Sequence, residues 1–429
     1  MKILLVEPSY KSSILPFSLQ KFATYYMNKG HEVRFTHHPF QQASLVDDTR
    51  YDKILITSVF TYYGKLTLDT INFIQRQFPK ARIKVGGIFP SLMPEVVEKH
   101  TGIKPWIGLY PKIDNELPDF SIFPKVKYGY VVTSRGCIHK CEFCAVKTLE
   151  PKFSLVDNWK AQVKHIYENG IRILNIQDNN FLATPKSHQR QVIEFLSQYK
   201  DLKIDFNQAL EAKLFRPFHA ELFKKINIPN LRFAFDGIHE DGYFQEAVKI
   251  ARRSGRNQRI TAYVLYNFDD TPEDFWYRIT EAFKLQCSIH PMKYAPINQM
   301  SRRYIGKHWS KEKITGTKKI FLRISNVGSS KEYSRKEVKE KRFMQSDHFG
   351  SSPEEFINLI TTKSKLSVKF FAEVRRNEHI INSGLGLIDK EKALVTKSRE
   401  RAIETGNLEN NKNYNLVKGD YQSNVRRGK

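Results

Sequence analysis

Cysteine is scarce, at four in 429 residues. So few thiols cannot staple a chain of this size, which excludes a disulfide scaffold of the extracellular kind. Long apolar runs are missing too. No stretch approaches the ~20 residues a helix needs to cross a bilayer. The apolar run after Met1 is too short for a secretory signal and reads as a first strand, so no membrane part and a cytoplasmic setting are expected. Acidic residues are in deficit, with 45 Asp and Glu against 70 Lys and Arg, a net charge of +25. Residues 301–429 hold 29 of these bases against 15 acids. Such a surplus favours a polyanionic partner, RNA or another nucleic acid first, although a generally lysine-rich surface would look the same. No internal repeat and no nucleic-acid module is found. What is present is globular: 40% apolar and 13% aromatic residues, in a length sufficient for two or three domains.

The four cysteines are unevenly placed. Cys137, Cys141 and Cys144 form a C-x3-C-x2-C array directly after the apolar run Tyr128 to Val132. Three thiolates on one loop suit a soft metal or an iron–sulfur cluster. Zinc normally takes four ligands. His139 could supply a fourth only with cramped geometry, and no second C-x2-C pair exists. A plain electron-transfer cluster would need Cys287, far along the chain. With three ligands, one iron of a four-iron cluster keeps an open position.

This array resembles the signature of the radical S-adenosylmethionine (SAM) superfamily. The resemblance implies a [4Fe-4S] cluster whose open iron is chelated by SAM. It also implies reductive cleavage to a 5′-deoxyadenosyl radical, hydrogen abstraction from a substrate, and a reductant such as flavodoxin or ferredoxin. Phe143 matches the aromatic residue that lies near the adenine, and Arg135 and Gly136 fit the usual lead-in.

Residues 1–110 alternate strands and helices. Strands are expected at Lys2–Val6, Glu32–Thr36, Tyr51–Ser58 and Arg82–Gly87, with helices at 18–30, 66–78 and 90–100. Near-continuous apolar strands indicate a parallel sheet covered on both faces. The segment resembles the cobalamin-binding-type Rossmann-like domain that precedes many radical SAM enzymes, its Gly86-Gly87 turn included. The loop from Glu7 to Pro16 lacks the usual histidine, and His37 and His38 stand elsewhere, which weighs against bound cobalamin. Residues 111–126, within a proline-rich stretch, are expected to be a linker.

Six further strands, near residues 128–132, 172–177, 203–207, 231–235, 259–265 and 287–290, imply a partial (β/α)6 barrel over 127–300. The fold class is thus α/β: a Rossmann-like sheet, then a radical SAM barrel and a basic extension. Chemistry in such barrels sits at the C-terminal strand ends. There the resemblance assigns Asp178 and Asn179 to the methionine end of SAM. Asn207 to Lys213 is similar to the family's Asn-Gln-Gly-Leu-Asp-Ala-Arg segment, so Gln208 and Glu211 are expected at ribose or substrate. Asp236 and Asn267 occupy the places of further contacts, Asn267 where a glycine is usual. The aspartates equally suit capping of the helices that follow, and Cys287 equally suits a small buried position.

Residues 301–404 read as a basic C-terminal region. It holds a strand at Phe321–Ile324, a charged stretch at 331–342 and a capped helix from Ser352. Residues 405–429 have few apolar anchors and read as a mobile tail. Methylthiolation would need a second cluster, and residues 1–126 contain no cysteine. The alternative to an enzyme is a non-catalytic metal- or cluster-containing nucleic-acid-binding protein.

Overall fold

The computed structural model describes residues 1–10, 16–37, 50–124, 126–254, 259–324 and 349–363. The expected charged stretch at 331–342 and the tail at 405–429 lie outside the described residues. The chain divides into two compact units. One comprises Met1–Arg232, Ile250–Gln258 and Ala295–Tyr304; the other comprises Phe233–Lys249, Arg259–Tyr294 and Ile305–Lys429.

The first unit opens with β1 (Lys2–Val6), α1 (Phe17–Met27), β2 (Glu32–Thr36), β3 (Lys53–Ser58), α2 (Gly64–Gln77), β4 (Arg82–Gly87), α3 (Ile88–Leu92) and α4 (Pro94–Thr101). The four strands form one parallel sheet in the order β2-β1-β3-β4. Alternate residues of a strand face opposite sides. Leu4, Val6, Ile54 and Ile56 therefore enter one core with Ile71, Val85 and Phe89, while Ile3, Leu5 and Leu55 enter the other with Leu19 and Ala23. Gly30, at φ +72°, follows α1 in the left-handed conformation common after helices. The single helix expected over 90–100 is two. Proline restricts the residue before it, and Met93 leaves the helical region at φ −138°, ψ 55°, ahead of Pro94.

The unit continues with β5 (Gly129–Val131), β6 (Ser134–Arg135), α5 (Val146–Leu149), β7 (Ser154–Leu155), α6 (Trp159–Glu168), β8 (Ile173–Ile176), α7 (Lys186–Leu196), β9 (Lys203–Asp205) and α8 (Pro217–Phe223). Strands β5, β8 and β9 make a parallel three-stranded sheet in that order. Short β6 and β7 pair antiparallel. Asn158 holds the N-cap place of α6 but accepts no helix N–H; its side-chain amide donates to the Asn115 carbonyl at 2.6 Å.

Next come β10 (Asn230–Ala234), α9 (Tyr243–Arg253), β11 (Arg259–Tyr266), α10 (Pro272–Lys284), β12 (Ser288–Lys293), α11 (Lys311–Ile324) and α12 (Pro353–Lys363). Strands β10, β11 and β12 form a second three-stranded sheet, with β11 and β12 parallel. The α10 start follows its sequence signal. Thr271 Oγ1 accepts the Asp274 N–H at 3.1 Å, Asp274 Oδ2 accepts the Thr271 N–H at 3.1 Å, and Pro272 fills the first turn. The strand expected at Phe321–Ile324 is instead the last turn of α11. The same apolar residues serve a helix, and α11 approaches α12 so closely that a Cβ at Gly316 would meet the Ile360 carbonyl. No helix among the described residues is long and apolar enough to cross a membrane.

Candidate functional site

The cysteine loop leaves the sheet at the C-terminal end of β5. Its first residues are tied down by a carboxylate from the neighbouring strand. Asp178, two residues past β8 and almost fully buried, accepts the Thr133 N–H at 2.6 Å, the Thr133 hydroxyl at 2.5 Å and the Ser134 hydroxyl at 2.8 Å. Burial pushes its carboxyl up, while these donors pull the other way. Because Thr133 donates its proton to Asp178, it can only accept from His188 Nε2, 3.0 Å away. His188 is thereby the Nε2–H tautomer, and burial lowers its basicity.

A second carboxylate closes the base of the loop. Glu150 follows α5 and accepts from Arg135 at 2.9 Å and from the Gly136 N–H at 2.8 Å. Asn179 donates to the same Glu150 oxygen that takes Gly136, at 2.8 Å. Arg135 is also forked onto Asp114, at 2.5 and 3.3 Å. Gly136 sits at φ +74°, and a Cβ there would meet the Lys152 carbonyl at 2.4 Å. No side chain fits where this turn passes the β7 approach.

Between Gly136 and α5 lie the three cysteines, Cys141 exposed and the other two partly so. The Cys144 N–H donates to the Cys141 carbonyl at 3.1 Å, and the His139 N–H to Cys137 Sγ at 3.4 Å. Phe143 is partly buried between them. Glu211, past β9, reaches this loop. Its Oε2 lies 2.9 Å from His139 Nε2 and accepts from Asn180 Nδ2 at 2.6 Å. Gln208 donates to Gln177 at 2.8 Å, and Gln177 to Asn207 at 3.0 Å.

Eight of the ten sequence-predicted residues thus lie in the first unit, on the loops that follow β5, β8 and β9. Asp236 and Asn267 lie in the second, after β10 and β11. Asp236 takes a charge-raising neighbour: burial and then Glu240 push its carboxyl up to about 7. Asn267 is fully buried at φ +70°, the glycine-like conformation of its place in the loop. Its Oδ1 accepts the Gly306 N–H at 2.8 Å and its Nδ2 donates to the Tyr294 carbonyl at 3.0 Å. Cys287 is 1% exposed, just before β12. Four residues escaped the sequence reading: Asp114, Glu150, Asn180 and His188. Nothing in their local spacing marks them. The unread Arg278 is fully buried in the second unit and donates to the Phe235 and Leu265 carbonyls at 2.9 and 2.8 Å and to Asp270 at 3.0 Å.

No family model matches the chain. In sequence, 89 residues are 30% identical to the ribosomal protein uS12 methylthiotransferase RimO of Chloroherpeton thalassium, a match covering 20% of this chain and 20% of that protein. Among solved structures, the cobalamin-dependent S-adenosylmethionine radical enzyme OxsB aligns over 99% of this chain and 75% of its own, at 14% identity and TM-score 0.46. The radical SAM enzyme HemN, a coproporphyrinogen III oxidase of Escherichia coli, aligns over 44% and 50%, at 11% identity and TM-score 0.30. Both solved structures are described as S-adenosylmethionine radical enzymes, and the chain spans a fifth of the length of the curated relative it matches. At these identities the two structural alignments carry no information on chemistry.

A radical SAM cluster can be tested against the residues present. The donor set fits by its chemistry: three thiols on one loop, with a main-chain N–H already aimed at one sulfur. The geometry is not closed, because among the described residues no three His, Cys, Asp or Glu side chains are gathered to hold a metal ion. For cobalamin, the loop after β1, Glu7 to Pro16, offers no histidine as an axial ligand. In the Gly86-Gly87 turn a Cβ at Gly87 would meet the Ser58 carbonyl at 2.3 Å, whereas one at Gly86 would meet only Trp106, at 3.9 Å. Tyr10 stacks on Tyr63 at 4.7 Å, and His37 Nδ1 stands 2.8 Å from Glu7.

Proposed function

We propose that this chain is a radical SAM enzyme whose [4Fe-4S] cluster is held by Cys137, Cys141 and Cys144. When bound, that cluster and SAM supply reductive carbon–sulfur cleavage and a carbon radical able to take hydrogen from an unreactive C–H. The observation that carries the reading is the anchoring of the cysteine loop. Three buried or half-buried carboxylates, Asp178, Glu150 and Glu211, each from a different part of the unit, fasten its two ends and its middle. A loop fixed this way costs little further ordering when ligands bind.

The remaining residues take roles around it. Phe143 lines the adenine side, Asn179 and Asp178 the methionine end. Gln208, with Gln177 and Asn207, offers amides at the end of β9 for ribose or substrate. Asp236 and Asn267 are assigned to the cofactor on the resemblance alone. The chain takes its electron from a small reductase such as flavodoxin or ferredoxin and works in the cytoplasm. Its basic C-terminal region meets RNA or another polyanion. Methylthio transfer is not carried over from RimO, because a second cluster needs three further cysteines and this sequence has one, Cys287.

Anaerobic reconstitution with iron and sulfide tests this. Close to four iron per chain and 5′-deoxyadenosine on adding SAM and dithionite are expected. Four iron without that product would sink the enzyme reading and leave a cluster-bearing binding protein.

A further inference from the structure

His139 lies inside the cysteine array, two residues from both Cys137 and Cys141. Imidazole is an established iron ligand in iron–sulfur centres, and a fourth ligand would close the position that SAM must use. In the structure this ring is engaged by a carboxylate. Its Nε2, the nitrogen with the longer reach from the backbone, is 2.9 Å from Glu211 Oε2. That oxygen is itself held by Asn180 Nδ2 at 2.6 Å, so Glu211 is fixed from the β8 side while it restrains the loop. The side chain of Glu211 is only 15% exposed, against 47% for His139, which makes the carboxylate the fixed member of the pair.

We infer that Glu211 is a positioning residue that sequesters His139, keeping the cluster's fourth position open for SAM. The inference rests on the radical SAM reading. It differs from a ribose or substrate contact, since it assigns Glu211 to the cysteine loop itself. Removing the carboxylate frees Nε2. The crowding that weighs against His139 on a single zinc shared with three thiols is relaxed in a cluster, whose irons take separate ligands. A side chain already on the loop then competes with a dissolved cofactor by effective concentration.

The test is pulsed electron paramagnetic resonance on the reduced, reconstituted full chain with 15N-labelled histidine. The wild type without SAM should show no directly bound histidine nitrogen, and SAM should shift its signal. Glu211→Ala should show the bound nitrogen and lose most of the SAM-dependent shift, at least tenfold in SAM affinity. Glu211→Ala/His139→Ala should lose the nitrogen and recover the shift. A histidine nitrogen already bound in the wild type would overturn the inference, as would a Glu211→Ala spectrum identical to the wild type. Should the single variant fold poorly, His139→Ala decides: a changed cluster signal without SAM shows that the histidine is a ligand, against the inference. A wild type that binds no four-iron cluster, or whose cluster ignores SAM, defeats the underlying reading instead.

Discussion

The carboxylate of Asp178 accepts the main-chain N–H of Thr133 at 2.6 Å, bridging 45 positions of sequence. The bond joins the end of β8 to the start of the cysteine loop after β5. Replacing Asp178 by Asn puts an amide donor among three protein donors, so at least one loses its acceptor. The expected cost is about 2–4 kcal/mol, the range for a buried charged hydrogen-bond acceptor. Amide hydrogen exchange at Thr133 should accelerate accordingly, and iron loading should fall. Unchanged exchange at Thr133 would contradict the anchoring role.

Asp236 gives a pH dependence of definite sign. Burial and Glu240 push its carboxyl up to about 7, so the folded chain binds a proton that the unfolded chain has lost. Its contribution to stability is therefore greatest below the ordinary carboxylate range and falls as pH rises toward 7. Asp236→Asn copies the protonated form. The variant should gain on the wild type in melting temperature between pH 5 and pH 8. Parallel melting curves at the two pH values would rule this out. Glu7, buried and raised to about 7 as well, acts in the same direction.

Ala209 sits at φ +70° in the loop after β9. An alanine there costs roughly 1–2 kcal/mol over a glycine, of which glycine's greater unfolded-state freedom returns part. Ala209→Gly is expected to stabilise by about 0.5–1 kcal/mol in urea unfolding. A loss of stability would show that the methyl group packs usefully.

Arg278 carries no exposed surface and holds the Phe235 and Leu265 carbonyls, at the ends of β10 and β11, together with Asp270. Arg278→Met leaves the Asp270 carboxylate buried without its cation, and about 3–5 kcal/mol of stability should go with it. Arg278→Met/Asp270→Asn should recover a substantial part. A double variant no better than the single would mean that the carbonyl contacts, not the charge pair, dominate.

Much of the fold was legible along the chain. The strands β1 and β3 follow from near-continuous apolar runs, and β2 and β4 from alternating ones. The Thr271-Pro272 start of α10 follows from capping chemistry. These are local signals. The misses were local signals overruled. Phe321–Ile324, an apolar run read as a strand, is the last turn of α11. Ala209 and Asn267, by contrast, adopt the left-handed backbone of a glycine without being one. The loops that require that turn outweigh the residue's own preference.

The sequence by itself determined the donor set: three thiols at fixed spacing, an aromatic residue before the third, and a single further cysteine, Cys287, too few for a second cluster. Covalent spacing is a property of the chain and needs no fold to be read. Only the tertiary structure decided which acids hold that loop. Asp178 and Glu211 meet at the cysteine loop because the sheet brings the ends of β5, β8 and β9 side by side, and Asp114 and Glu150 meet there on Arg135. A carboxylate finds its donors through space, so its partner cannot be read from its neighbours in the chain.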